Sequence, residues 1–445
     1  MWVFRTRERK TAIWAPPHEE DAVLLSFRVA NHRSIRDEQE LSLVATEFND
    51  GTGRETGARF EGKPVSVLPA IGIFGSNASG KSNALEALRF MRTAVLASFA
   101  DWGKEPDAVP REPFALDPAA REETSLFEIE LLLGRTQTRY TYGFEVSDQR
   151  VEAEWLHAYP SGRRQIWFDR EAGRSEDEGG EFHFPGSGLR GRKDEATALT
   201  RPNALFLTVA ATLNHPQLSA LHRWFVDNLW SVDPEDRTHW TRKQLGRSDV
   251  EGKRLRERLT RLLAVADLGI TGMDHDPESG EVRLLHRAPG GGSIPLDFWG
   301  QESRGTHAWF AFLGPLLYTL DRGGSLLVDE LDASLHPLLA AEVIRLFHDG
   351  KANPLAAQLI FTTHDATLLG NATAQRPLDR DQVWITVKSR GGETELYPLT
   401  AAKARKEEPL ERRYLRGHYG GIPQLVTGEI ANELARVEEE LRATA

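Results

Sequence analysis

Cysteine is absent from the 445 residues. That excludes disulfides and thiolate metal sites, and it suits a reducing cytoplasm, the expected location. No run approaches the ~18 apolar residues that a membrane-spanning helix needs, so no membrane partner is expected. The amino terminus, MWVFRTRERKTAIWAPPHEEDAV, has no apolar core followed by a small-residue cleavage site, and no signal peptide is read there. A basic excess is also lacking. The net charge of −11 argues against non-specific adhesion to nucleic acid, while leaving a local basic groove open. There is no repeat of fixed period and no long heptad array. The many glycines and prolines between Ser82 and Ser303 exclude long coiled-coil arms. What remains is a globular protein with 40% hydrophobic and 27% charged residues, long enough for a large core and two packed substructures.

Its organisation follows from local pattern. Residues 1–22 have mixed charges, Pro16-Pro17 and no clear period. They read either as a flexible leader or as sequence ahead of a start at Val23. Strand patterns begin at Val23 and Glu40. From Pro69 to Ala97 the order is a buried strand, a glycine-rich turn and a helix whose Leu85, Leu88, Met91 and Val95 share one face. Alternation from Ser125 to Phe184 indicates antiparallel hairpins. Residues 201–268 read as mostly helical, and 272–287 as a further hairpin. The last third returns to α/β order, with SLLV (325–328) and QLIFTT (358–363) as buried strands. The expected division is a leader (1–22), a first part of an α/β head (23–124), an inserted hairpin and helical region (125–285), a second head part (286–424) and a carboxy-terminal helix (425–445).

The chemistry sits between these strands and helices. Gly75-Ser76-Asn77-Ala78-Ser79-Gly80-Lys81-Ser82 fits the phosphate-binding pattern G-x-x-x-x-G-K-[ST]. Its glycines let backbone N–H groups curl around phosphates, and the following helix adds its positive end. In this reading Lys81 reaches the β and γ phosphates of ATP, and the Ser82 hydroxyl ligates Mg2+. Asp329 and Glu330 follow SLLV directly. The aspartate is placed to hold Mg2+ and the glutamate to polarise an attacking water. His364 ends QLIFTT, where it senses the γ-phosphate. Glu302-Ser303-Arg304-Gly305 opens a helix, with Ser303 26 residues before Asp329. It is a second anion site, and one suited to a partner subunit's γ-phosphate, because the chain already holds its own.

Together GSNASGKSN, QESRGT, SLLVDELDASLHP and FTTHD resemble the SMC/RecF-like branch of ABC ATPases within the P-loop AAA group. More narrowly they resemble the RloA-like and OLD-like ATPases of prokaryotic antiviral systems. The resemblance runs from Val23 to about Gln424 and includes LLSFRVANHRSIRDEQELSL and RRYLRGHYGGIP. It implies an α/β, ABC-type head with a mixed sheet, and a homodimer or higher homo-oligomer closing around ATP. Ser303 and Gly305 would act in trans, and Asp332 would link the two sites. It also implies nucleotide-proximal roles for Asn31, Arg33 and Asn83. The implied function is Mg-dependent ATP hydrolysis by a regulatory subunit of an antiphage, abortive-infection system that gates a separate effector. The alternative is a DNA-binding clamp in repair or recombination, so a nucleic-acid partner stays open. ESRGT departs from the transporter-type signature. Only 81 residues follow His364, with no strand-borne glutamate before a D-x-D pair, so no nuclease is expected in this chain. Asp274, His275 and Asp276 read as a solvated turn, and Trp299 as packing.

Overall fold

The computed structural model describes residues 22–103, 109–232, 241, 245, 250–266, 269–276, 279, 281–333, 335–370, 376–423 and 428–444. Apart from Ala22, the leader expected over 1–22 lies outside them. The chain opens with β1 (Ala22–Ala30), β2 (Gln39–Ser42), β3 (Arg54–Phe60), β4 (Lys63–Val67) and β5 (Ala70–Gly75), then α1 (Lys81–Asp101). Long hairpin strands follow as β6 (Ser125–Leu133), β7 (Thr138–Val146), β8 (Val151–Tyr159) and β9 (Gln165–Glu171), with a short β10 (Phe182–His183). Next come α2 (Asp194–Leu199), α3 (Phe206–Thr212), α4 (Leu218–Asp227), β11 (Leu229–Val232) and α5 (Val250–Ala266). A small sheet of β12 (Ile270–His275), β13 (Val282–Arg287) and β14 (Ser293–Asp297) leads into α6 (Phe298–Gln301) and α7 (Arg304–Arg322). The remainder is β15 (Ser325–Val328), α8 (Pro337–His348), β16 (Gln358–Thr363), β17 (Val383–Lys388), β18 (Thr394–Pro398), α9 (Leu410–Leu415) and α10 (Glu429–Thr444).

Two large sheets organise these pieces. The central one runs β11-β15-β16-β5-β17-β18. Its first five strands are parallel and β18 is antiparallel. The other runs β10-β9-β8-β7-β6-β1-β2 and is antiparallel throughout. The hairpins of 125–171 are therefore continuous with β1 in one sheet. The architecture is mixed α/β, as the sequence indicates.

Alternation within the central strands decides which core each residue joins. Ile71 and Ile73 of β5, Leu327 of β15 and Ile360 of β16 face the core built with α1 and the antiparallel sheet. Ala70 and Phe74, Leu326 and Val328, and Leu359 and Phe361 face the core built with α7 and α8. Burial on both faces explains why these strands read as continuous apolar runs. The expected apolar face of α1, Leu85, Leu88, Met91 and Val95, is fully buried. Each such side chain contributes about 1.5–3 kcal/mol. The mostly helical reading of 201–268 misses β11. Its four residues, LWSV, are too few to show a period, and parallel pairing with β15 holds them.

Gln358 splices the two sheets. It is 1% exposed. Its side-chain amide accepts from Leu24 N at 2.9 Å and donates to Leu24 O at 3.0 Å. A side chain on β16 thus makes the pair of bonds that a neighbouring strand's backbone would make to β1, beside the register shift between Leu24 and Ser26.

Candidate nucleotide-binding site

The parallel strands β5, β15 and β16 are adjacent, and each hands the chain at its carboxyl end to a polar loop. Open α/β sheets present their ligand crevices at this edge. The loop after β5 turns through Ala78 at φ 60° and Gly80 at φ 100°. A Cβ on Gly80 would stand 2.0 Å from Thr394 Oγ1, and one on Gly75 would stand 2.2 Å from Thr386 Oγ1. Both threonines brace the loop. Ser79 Oγ and Thr386 Oγ1 are 2.7 Å apart, and Thr394 Oγ1 donates to Ser79 O at 2.9 Å. Asn77 and Ala78 stand exposed at the tip. No side chain caps α1, so its first-turn N–H groups and positive end suit an anion.

Lys81 is 5% exposed, and each of its three protons has an acceptor within reach. Nζ lies 2.9 Å from Gly75 O, 2.9 Å from Ser76 O and 3.3 Å from His364 Nδ1. The ammonium is held by carbonyls of the loop that precedes it. Burial pulls Lys81 down from its ordinary value to about 8, against the upward pull of Glu330, Asp329 and Asp332.

Asp329 lies opposite α1. Its Oδ1 accepts from Ser82 Oγ at 3.0 Å and from Thr362 Oγ1 at 2.5 Å. This hydroxyl–carboxylate pair is an oxygen donor set that fits Mg2+, which takes one or two protein oxygens and completes its shell with phosphates and waters. Among the described residues no three His, Asp or Glu side chains gather as a metal site, so the phosphates would supply the rest.

Glu330 sits at φ 51°, a left-handed conformation that costs on the order of 1–3 kcal/mol for a non-glycine residue. The Thr362 hydroxyl, accepting from Glu330 N at 2.8 Å, holds it there. Its carboxylate is half exposed, with His364 Nε2 3.7 Å away. The His364 amide donates to both oxygens of Asp332 at 3.3 Å. Asp332, assigned by resemblance to a link between subunits, also ties the acidic loop to the histidine within its own chain. Because Nδ1 faces the Lys81 ammonium, the accepting tautomer leaves the ring proton on Nε2, toward Glu330.

Ser303 is the N-cap of α7, its Oγ accepting from Thr306 N at 3.1 Å. Ser303, Arg304 and Gly305 are all exposed. Glu302 is turned inward onto His286 Nε2 at 2.7 Å. Asn31 and Arg33 lie in a tight turn at φ 50° and 52°, with their side chains engaged elsewhere. The Asn31 amide donates to Ala120 O at 2.6 Å and accepts from Phe114 N at 3.0 Å. Arg33 forms a two-pronged bond to Glu112 at 2.9 and 3.0 Å. The turn reaches the glycine-rich loop and α1 through Ser34, whose Oγ accepts from Asn83 Nδ2 at 2.6 Å and pairs with Thr394 Oγ1 at 2.7 Å. Ser34, Thr362, Thr386 and Thr394 escape the sequence reading because their partners are distant in the chain and lone hydroxyl residues carry no motif.

Comparison with known proteins adds a family. The family described as "AAA domain, putative AbiEii toxin, Type IV TA system" matches residues 71–370, from β5 past His364. No curated protein matches the chain. Among solved structures, the SMC head domain from Thermotoga maritima is similar over 84% of this chain and 98% of that one, at 13% identity and a TM-score of 0.39.

Proposed function

The chain belongs to the AAA-domain family whose description names a putative AbiEii toxin of a type IV TA system, and from that premise we propose that it is a Mg-dependent ATPase that closes as a dimer around ATP. The observation that carries this reading is the convergence of Lys81, Asp329, Glu330 and His364 at the carboxyl ends of three adjacent parallel strands. In the proposed reaction a water attacks the γ-phosphate in line, its oxygen bonding to phosphorus as the bond to the β,γ-bridging oxygen breaks and ADP leaves. Glu330 takes the water's proton, and His364 orients the water or the phosphate through Nε2–H. Lys81 and the N–H groups of the loop and α1 neutralise the charge that develops on the phosphate oxygens. Bound Mg2+, held by Ser82 and Asp329, adds Lewis-acid stabilisation of the phosphates.

Exposure of Ser303 and Gly305 at the start of α7 supports their contact with ATP held by a second copy. With no second substrate indicated, hydrolysis is slow and switch-like. The family description, with its putative AbiEii toxin of a type IV TA system, supports an abortive-infection setting; within it, the sequence resemblance favours an RloA-like or OLD-like regulatory ATPase of antiphage defence, gating a separate effector. The test mixes two inactive variants, Lys81→Ala and Ser303→Arg. Each homodimer lacks one half of both sites, whereas the mixed dimer contains one site with both halves intact. Return of phosphate release on mixing is the expected result, and no return overturns the trans arrangement.

Nucleotide affinity should depend on pH through Lys81. The free protein's ammonium ionises near 8, and a bound polyphosphate raises that value by placing negative charge beside it. Affinity is then fully present below pH 8 and falls as pH rises through it, by up to ~10-fold per unit, until the bound state also loses its proton. Titrating a fluorescent ATP analogue between pH 7 and 9.5, beside Lys81→Arg, checks this. A flat wild-type profile refutes it, and the arginine variant should be flat.

A further inference from the structure

The carboxy-terminal helix α10 carries an apolar seam on an exposed surface. Residues 428–443 are all exposed. Ile430, Leu434, Val437 and Leu441 are 74%, 64%, 41% and 62% exposed. Their spacings of four, three and four are those of successive d, a, d and a positions of a heptad, so they form one narrow stripe. A seam of this period fits a second helix lying along it. The residues that flank it choose which helix. The g positions are Glu433 and Glu440, and the e positions are Ala431 and Glu438. The two arginines nearby, Arg436 and Arg442, fall at c and b, where they pair within the helix with Glu433, Glu440 and Glu438. In a parallel pair of two α10 helices, g would face e and glutamate would meet glutamate. In an antiparallel pair g would face g, so Glu433 would meet Glu440, while e would set Ala431 against Glu438. Acidic flanks therefore disfavour a second copy in either orientation.

We propose that α10 is the docking element for an amphipathic helix of a separate protein, with aliphatic residues at its own a and d positions and lysine or arginine at e and g. The apolar seam supplies the attraction, and the paired charges set partner choice and orientation. The inference stands on α10 alone and does not depend on ATP hydrolysis.

The test uses the full chain and two labelled three-heptad peptides, both with Ile at a and Leu at d. One has Lys at every e and g, and the other has Glu. Fluorescence anisotropy should show the Lys-flanked peptide binding the wild type and the Glu-flanked one failing to bind. Leu434→Ser with Val437→Ser should weaken the Lys-flanked peptide ~10-fold or more, since both seam residues lose their apolar contact. Glu433→Lys with Glu438→Lys and Glu440→Lys should reverse the peptide preference. The thermal midpoint of the serine variant should match wild type, because the seam is exposed. Equal binding of both peptides, binding of neither, or undiminished binding to the serine variant overturns the proposal. So does a fall in midpoint, which would mean the seam packs on its own chain. A wild-type oligomer in sedimentation that the serine variant dissociates also overturns it, since a second copy would then be the occupant.

Discussion

Glu330→Gln is expected to lower ATP turnover by ~10²–10⁴-fold, the usual contribution of a positioned general base, while ATP affinity stays near wild type. The reasoning separates what the side chain does from what the backbone does at this position. The left-handed conformation of residue 330 is held by a bond from its own N–H to Thr362. Glutamine keeps that bond, the side-chain length and the exposure. It loses the negative charge, and with it the ability to take a proton. The groups that would grip the phosphates, Lys81 and the loop of 75–80, do not contact residue 330 by hydrogen bond. Binding and chemistry should therefore come apart, and the variant should accumulate as an ATP-bound dimer. Phosphate release and native mass with ATP measure the two halves of this claim. Wild-type turnover in the variant would remove Glu330 from the role of base.

Gly80→Ala is expected to weaken ATP binding by about 30-fold or more without unfolding the protein, which corresponds to ~2 kcal/mol or more at 1.4 kcal/mol per tenfold. Two costs combine. At φ 100° an L-residue is strained. The new methyl would also stand 2.0 Å from Thr394 Oγ1 and 2.8 Å from Thr394 Cβ. Thr394 has little room to retreat, since its hydroxyl is bonded to Ser79 O and paired with Ser34 Oγ. The loop must move instead, and the N–H groups it presents move with it. Calorimetric titration with ATP, beside a thermal melt, distinguishes this from a global loss of stability. Unchanged affinity would mean that the loop geometry around Gly80 is not what holds the phosphates.

Much of the parallel sheet and its loops was legible because the signals are short-range. A buried strand, a glycine-rich turn and a helix are contiguous from Ala70 to Asp101, so one motif carries both fold and chemistry. Asp329 with Glu330, and His364, each follow an apolar strand directly. The bracing hydroxyls were not legible, since Thr386 and Thr394 gain meaning only when β17 is laid beside β5 and β18 beside β17. Asn31 shows the opposite difficulty. Its place in an opening that resembles a known family suggests the nucleotide, while in the fold its amide is spent on the backbone of Ala120, Glu123 and Thr124. Strand β11 was hidden for want of length, and only its parallel neighbour reveals it.

The splice at Gln358 gives the molecule a mechanical property. One amide, bonded on both sides of Leu24, stitches the antiparallel sheet to the first residue of β16, and the same strand ends next to His364. The hairpin sheet and the group facing Lys81 are thus joined through one continuous strand, with no loop between.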